Sequence, residues 1–298
     1  MLLKELGEFG LIERFRRAIK LDSSVVKGSG DDCAVIKWDK ENYLLFTCDM
    51  IVEGVDFLAD TRPELIGRKA LAVSISDIAS CGGIPRYAVV SLGLPGSFSA
   101  EKAEKIAKGI FSLARKFEIN IVGGDLSRAE RIVLDVSMLG RVEKRNLCLR
   151  SGAKQGDIIF VTGELGGSIA GKHLKFTPRL KEARELVKNF KVHAMIDISD
   201  GLAADLSHIL KESGVGGFLY EEFIPQSKAS RNLKDAIYSG EDFELLFTLS
   251  RNDAKKLLDA KVDYCKPIGE INGKRPVLRL LDSSGREKII GPHGFRHF

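Results

Sequence analysis

The chain has no apolar run long enough to cross a bilayer, and its opening Met-Leu-Leu-Lys-Glu-Leu-Gly-Glu carries no apolar signal-peptide stretch. A spanning helix needs about 20 consecutive apolar residues. The protein is therefore expected to be cytoplasmic, with no membrane partner. The five cysteines, at 33, 48, 81, 148 and 265, include no Cys-x-x-Cys pair. An odd, dispersed set excludes a disulfide framework and a zinc site, and leaves reduced, mostly buried small residues. Histidine is equally sparse. His173, His193 and His208 read as surface or packing residues. His293 and His297 stand four apart, but zinc takes three or four ligands. No Ser/Cys–His–acid arrangement stands out. Nor is there an excess of one charge: Lys and Arg are interleaved with acids to a net +5. That pattern is a solvated mixed surface without a nucleic-acid footprint. Low-complexity segments and short repeats are absent. Gly166-Gly-Ser-Ile-Ala-Gly-Lys172 looks like the start of a P-loop, but His173 stands where the Mg²⁺-holding Ser/Thr is required.

What remains is an ordinary globular composition, 44% apolar and 29% charged, over 298 residues. That length accommodates two domains and a substantial core. Strands are predicted near 33–38, 43–48, 86–93, 119–123, 131–141, 157–162, 193–198, 243–249 and 277–282. Helices are predicted at 4–19, 64–81, 100–118, 164–175, 180–190, 200–213 and 251–260. Ala103, Ile106, Ala107, Ile110, Leu113, Ala114 and Phe117 share one helical face, with Ser99 as N-cap. Pro63 opens the preceding helix, which ends at Gly82-Gly83. The mixed order makes the class α/β (α+β). The polar, turn-rich stretch 150–157 is the best boundary between two domains, expected at 1–145 and 146–298.

Six aspartates dominate this background: Asp32, Asp49, Asp77, Asp125, Asp197 and Asp200. Singly, Asp32, Asp125 or Asp200 is as well explained as a turn residue or helix cap. Asp77 is harder to dismiss, because it lies among Ala72, Val73, Ile75, Ile78 and Ala79, where a lone buried charge is costly. Asp49 and Asp197 follow apolar strand residues, at strand ends where α/β proteins place ligands. Two carboxylates 4 Å apart repel by about 4 kcal/mol at an effective dielectric near 20. A converging set therefore needs protons or cations, and hard oxygen donors suit Mg²⁺ bridged to phosphates.

The order of motifs carries more information than any one of them. Gly-Glu-Phe-Gly-Leu-Ile-Glu-Arg-Phe (7–15), Gly-Asp-Asp-Cys-Ala-Val (30–35), Thr-Cys-Asp-Met-Ile-Val-Glu-Gly-Val-Asp-Phe (47–57) and Lys-Ala-Leu-Ala-Val-Ser-Ile-Ser-Asp-Ile-Ala-Ser (69–80) come first. Gly-Gly-Asp-Leu-Ser (123–127), Leu-Arg-Ser-Gly-Ala-Lys (149–154), Asp-Ile-Ser-Asp-Gly-Leu (197–202) and Ser-Gly-Glu-Asp-Phe-Glu-Leu (239–245) follow. Over essentially the whole chain this series resembles the thiamine-monophosphate kinase family, of the superfamily that includes aminoimidazole ribonucleotide synthetase.

The resemblance implies a two-domain PurM-like fold, with an N-terminal α/β domain that makes a homodimer and a C-terminal α/β domain that closes over the nucleotide. It implies transfer of the ATP γ-phosphoryl group to thiamine monophosphate, with several Mg²⁺ ions. Matching positions give a metal shell of Asp32, Thr47, Cys48, Asp49, Asp77, Asp125, Asp197 and Asp200. ATP contacts fall on Gly124, Asp125, Arg150 and Ser199, and contacts to thiamine or its phosphate on Asp56, Glu241 and Phe295. No catalytic base is expected, since the acceptor is a phosphate oxygen, largely ionised at neutral pH, and phosphoryl transfer is mostly positioning and charge neutralisation. Three positions depart from the family pattern. Cys48 replaces the usual Thr or Ser, Ala107 stands where many members have an aromatic near the adenine, and Asp56 stands where His is frequent. Two other readings stay open: a sister ATP-using enzyme of the superfamily, and a non-catalytic binder of nucleotide or thiamine phosphate.

Overall fold

The structure, a computed structural model, describes residues 2–295, so His297 lies outside the described residues. Two sheets form, one after the other along the chain. The first holds β1 (Val25–Lys27), β2 (Ala34–Lys37), β3 (Asn42–Val52), β4 (Ile84–Leu94), β5 (Asn120–Arg128) and β6 (Val133–Glu143), in the order β1-β2-β3-β6-β4-β5. Its pairs are antiparallel except β4 and β5. Parallel neighbours need a long crossover, and helix α4 (Ala100–Lys116) supplies it.

The second sheet holds β7 (Ile158–Thr162), β8 (Val192–Asp197), β9 (Gly217–Tyr220), β10 (Leu245–Leu249), β11 (Cys265–Ile271), β12 (Leu278–Leu281) and β13 (Glu287–Ile289), in the order β13-β12-β9-β11-β7-β10-β8. The other helices are α1 (Leu3–Leu6), α2 (Glu8–Ala18), α3 (Pro63–Ser80), α5 (Lys172–Lys175), α6 (Leu180–Asn189), α7 (Leu202–Ser213), α8 (Leu233–Tyr238) and α9 (Arg251–Asp259).

Helix α3 is the pivot. It lies on β3 and β6 of the first sheet and also touches α5, α6 and β8 of the second half. It is covered on nearly every side, so its polar residues, Lys69, Ser74, Ser76 and Ser80 among them, are buried with its apolar ones. Two glycines let α4 lie against it: a Cβ on Gly67 would sit 2.0 Å from the Ile106 carbonyl oxygen, and one on Gly109 2.0 Å from that of Glu64. Two helical expectations are corrected. The helix expected over 4–19 breaks at Gly7, whose φ of 71° interrupts it between α1 and α2. The helix expected over 164–175 is instead a turn with positive φ at Gly166, Gly167 and Gly171, a single 3₁₀ turn and the short α5. Strands β1, β9, β11 and β13 and helix α8 were not foreseen. β11 contains Pro267 and Gly269, which mask a strand in sequence, and its register slips there.

Candidate active site

The alternation of β3 decides which side chains enter the site. Leu45, Thr47, Asp49 and Ile51 point inward toward α3, while Phe46, Cys48 and Met50 point outward. Helix α3 contributes Ser76, Asp77 and Ser80 from its last turns. The loop before β2 adds Asp31 and Asp32, the end of β8 adds Asp197, and the turn into α7 adds Ser199 and Asp200.

Asp32, Asp77 and Asp197 bring carboxylate oxygens within 4.8 Å of one another. Each is steadied by a hydroxyl. Thr47 Oγ1 donates to Asp77 Oδ2, Ser76 Oγ to Asp197 Oδ2 and Ser80 Oγ to Asp32 Oδ2, all at 2.5 Å. Arg150 donates from Nε and Nη2 to Asp32 Oδ1 at 2.9 and 2.5 Å, and its own N–H donates to Asp31. Asp49 Oδ2 is buried with no hydrogen-bond partner. Burial pushes Asp49 up to about 6 and Asp197 up to about 8, and lifts Asp77 well above the carboxylate range, with neighbouring acids adding to each shift. Asp31, pushed to about 7 first by burial and then by Asp32, belongs to the same group. Crowded hard oxygens and an orphaned buried carboxylate oxygen fit a hard divalent cation.

Asp200 neighbours this group and clusters with Asp205 and His208 within 4.8 Å. Asp205 is buried, and its Oδ2 accepts the N–H groups of Asp200 and Gly201 at 3.1 and 3.0 Å, pinning the turn. The residues expected at the thiamine end lie around Asp200 and the β3 end. The Phe295 N–H donates to the Asp200 carbonyl at 2.9 Å, Asp56 Oδ2 accepts from the Val52 N–H at 2.7 Å, and Glu241 feels the charges of both Asp56 and Asp200.

Two expected metal residues lie elsewhere. Asp125, Ser91, Asp135 and Met50 form one cross-strand row on the outward face of the first sheet. The Cys48 thiol points to that face as well and donates to Asp135 Oδ2 at 3.0 Å. Within this chain, Asp125 and the Cys48 side chain are thus separated from the acid cluster by the sheet. Gly124 packs so closely on β4 that a Cβ would sit 2.0 Å from the Val90 carbonyl oxygen. Ala107 lies on α4, half-buried.

Known proteins match this arrangement over the whole chain. The family described as AIR synthase related protein, N-terminal domain, matches residues 30–142, and its C-terminal domain matches 152–280. The thiamine-monophosphate kinase of Buchnera aphidicola subsp. Schizaphis graminum is 36% identical, with 99% of each chain covered. That of Bacillus subtilis is 34% identical, covering 98% of this chain and 100% of its own. A solved structure of AaThiL complexed with AMPPCP and TMP superposes with a TM-score of 0.86 at 31% identity, covering 100% of this chain and 99% of the other. The chain belongs to the thiamine-monophosphate kinase family.

Its fold is the PurM-like α/β fold expected from the order of motifs. The acid-rich Ser239–Leu245 motif of this family member is mostly a fastener. Asp242 accepts from the Gly166 N–H at 3.0 Å and from Ser168 Oγ, and Glu244 pairs with Lys172 at 2.9 Å and Arg179 at 2.6 Å. The glycine-rich turn 166–172 is therefore committed to its own chain, with its lysine in an ion pair and a backbone N–H already bonded. Sequence reasoning missed Asp31, Lys69, Asp135, Asp205 and His208. Lys69 was within reach, because a lysine in an apolar helix raises the same question that singled out Asp77. Asp205 and His208 recur three apart on a helix following Asp200, but only the fold turns them to the site.

Proposed function

We propose that this chain is a cytoplasmic kinase that transfers the γ-phosphoryl group of ATP to thiamine monophosphate, giving thiamine diphosphate and ADP. The observation that carries the reading is the convergence of Asp32, Asp49, Asp77 and Asp197, with a buried Asp49 oxygen left without a partner. These four, with Thr47 and Asp200, are the residues that would hold Mg²⁺. When bound, Mg²⁺ neutralises phosphate charge and steadies the attacking and leaving oxygens.

The protein's own groups divide the remaining work. Arg150 stands at the rim of this group with its guanidinium on Asp32, and its planar fork suits a phosphate oxygen of the nucleotide. Ser199 serves the same nucleotide. No base is needed for an ionised phosphate acceptor. His208 lines the cavity, and burial drops it to about 4, which makes it a weak proton acceptor. Asp56, Glu241 and Phe295 receive the thiamine moiety, whose cationic ring suits a carboxylate or an aromatic face. In this reading residues 1–145 supply most of the metal ligands, and 146–298 close over both substrates and add Asp197, Asp200, Arg150 and Ser199.

Gly124, Asp125 and Cys48 belong to the proposal through a homodimer. Around them the outward face exposes Phe46, Met50, Tyr87, Val89 and Val122, a contiguous apolar surface of the kind that marks an interface. A second copy seated there gives Asp125 a nucleotide-bound neighbour that its own protomer lacks. Val122→Asp should convert the dimer to monomer in sedimentation; a variant that stays dimeric removes this face as the interface.

The deciding experiment is incubation of the purified chain with ATP, Mg²⁺ and thiamine monophosphate, with chromatography for thiamine diphosphate and a metal-free control. Metal-dependent product in step with ADP is expected. ATP hydrolysed without thiamine diphosphate, or tight binding of thiamine diphosphate without turnover, would overturn the kinase.

A further inference from the structure

Lys69 is fully buried in α3, with no exposed side-chain surface, among Ile66, Ala70, Ala72 and Val73. A lysine in such a position is rare unless paired. Its Nζ has two partners, the carbonyl oxygen of Asp56 at 2.8 Å and the carboxylate of Glu241. Both partners belong to the proposed thiamine end of the site, and they come from opposite halves of the chain. Glu241 keeps 19% of its side chain open to solvent, with Lys69 behind it.

The backbone around Glu241 is unusual. Gly240, Glu241 and Phe243 have φ of 67°, 60° and 50°, a region that side-chain-bearing residues seldom adopt. A Cβ on Gly240 would sit 2.5 Å from the Ser199 carbonyl oxygen, and the Glu241 N–H donates to that same oxygen at 2.7 Å. Phe243 is held by stacking on Phe176, with ring centroids 4.1 Å apart. Backbone strain persists where surrounding contacts over-determine it. Here those contacts aim one carboxylate at a fixed point, and Lys69 is the only charged group among the described residues that pairs with it.

We propose that Lys69 is the positioning residue of the thiamine subsite. It ties the Asp56 loop to the Glu241 turn and presents the Glu241 carboxylate, in one orientation, to the cationic ring. The inference rests on the kinase reading. Lys69 itself does not touch substrate, because Glu241 stands between it and the open site. Without Lys69, a largely buried Glu241 would favour its neutral form and lose its anchor. The loss should fall on thiamine monophosphate and spare ATP, since Arg150, Asp32 and Asp197 make no hydrogen bond or ion pair with Lys69.

The test is steady-state kinetics of Lys69→Met, Glu241→Gln and the double variant, with thermal melts to establish folding. Lys69→Met should raise the KM for thiamine monophosphate by about tenfold or more while moving the KM for ATP by less than about twofold. The double variant should be no worse than Glu241→Gln alone, because the lysine acts through the glutamate; residues in one pair are non-additive. Lys69→Gln, which keeps a donor and drops the charge, gives the same readings if the methionine variant does not fold. An unchanged KM for thiamine monophosphate, an equal rise for ATP, or additive losses in the double variant would overturn the inference while the kinase stands. A wild-type chain that makes no thiamine diphosphate would overturn both.

Discussion

On β3, Thr47 and Asp49 face inward and Cys48 and Met50 face outward, and the two sides of this one strand have different chemistry. Inward, Asp49 enters a crowded group with Asp32, Asp77 and Asp197 at the wall of a cavity, and burial drives its proton affinity upward. Outward, Asp135 and Asp125 line the rim of an exposed apolar surface, and the thiol of Cys48 is bonded to one of them. Adjacent residues meet opposite environments because strand side chains alternate with a period of two. A run such as Thr-Cys-Asp-Met therefore cannot deliver all its polar groups to one site, whatever their resemblance to ligands. The inward side is built for charge and the outward side for contact.

Neutralising the inward side should have the largest effect. Asp77→Asn removes the central carboxylate from the group and should lower kcat by about 10³-fold, in line with the loss of a charge-stabilising element. The folded protein should be no less stable without metal, since burial already holds the Asp77 carboxyl protonated and an amide oxygen can still accept from Thr47. A variant within about tenfold of wild type in the coupled ADP assay would break the contrast between the faces.

The second effect is on stability. An acid whose folded pKa is raised holds its proton longer in the fold. Its contribution is complete below the unfolded value near 4 and is lost as pH rises through the folded value. Those folded values are about 6 for Asp49, 7 for Asp31 and 8 for Asp197. Metal-free protein should therefore melt several degrees lower at pH 8.5 than at pH 5, and added Mg²⁺ should recover the loss at the higher pH. A melting temperature flat in pH and indifferent to Mg²⁺ would show that the inward acids are not a cation site.

The smallest effect belongs to the outward side. Cys48→Ser keeps a donor toward Asp135 and changes nothing in the inward cluster, so kcat and both KM values should stay within about threefold of wild type. A larger loss, measured with the same assay, would carry the Cys48 side chain into the reaction.

Much of this was legible before any coordinates. The α3 and α4 boundaries were marked by Pro63 and Ser99, and Asp77 was singled out as a charge inside an apolar helix. Local signals of this kind depend on neighbours a few residues away. The same reading missed β11, where Pro267 and Gly269 weaken the pattern, and took a glycine-rich turn for a helix start. The resemblance put all six aspartates in one metal shell; within this chain the sheet stands between Asp125 and Asp32, Asp49, Asp77 and Asp197.

By itself, the sequence determined the α/β class, the family and the acids available for phosphate chemistry, because composition, periodicity and motif order are properties of the chain. Tertiary structure alone decided which acids meet, that Lys69 stands behind Glu241, and that Arg150 rests on Asp32. Those pairings join residues 172 and 118 positions apart. They depend on sheet register and on how α3 is wedged between two sheets, and neither is encoded in any short stretch of the chain.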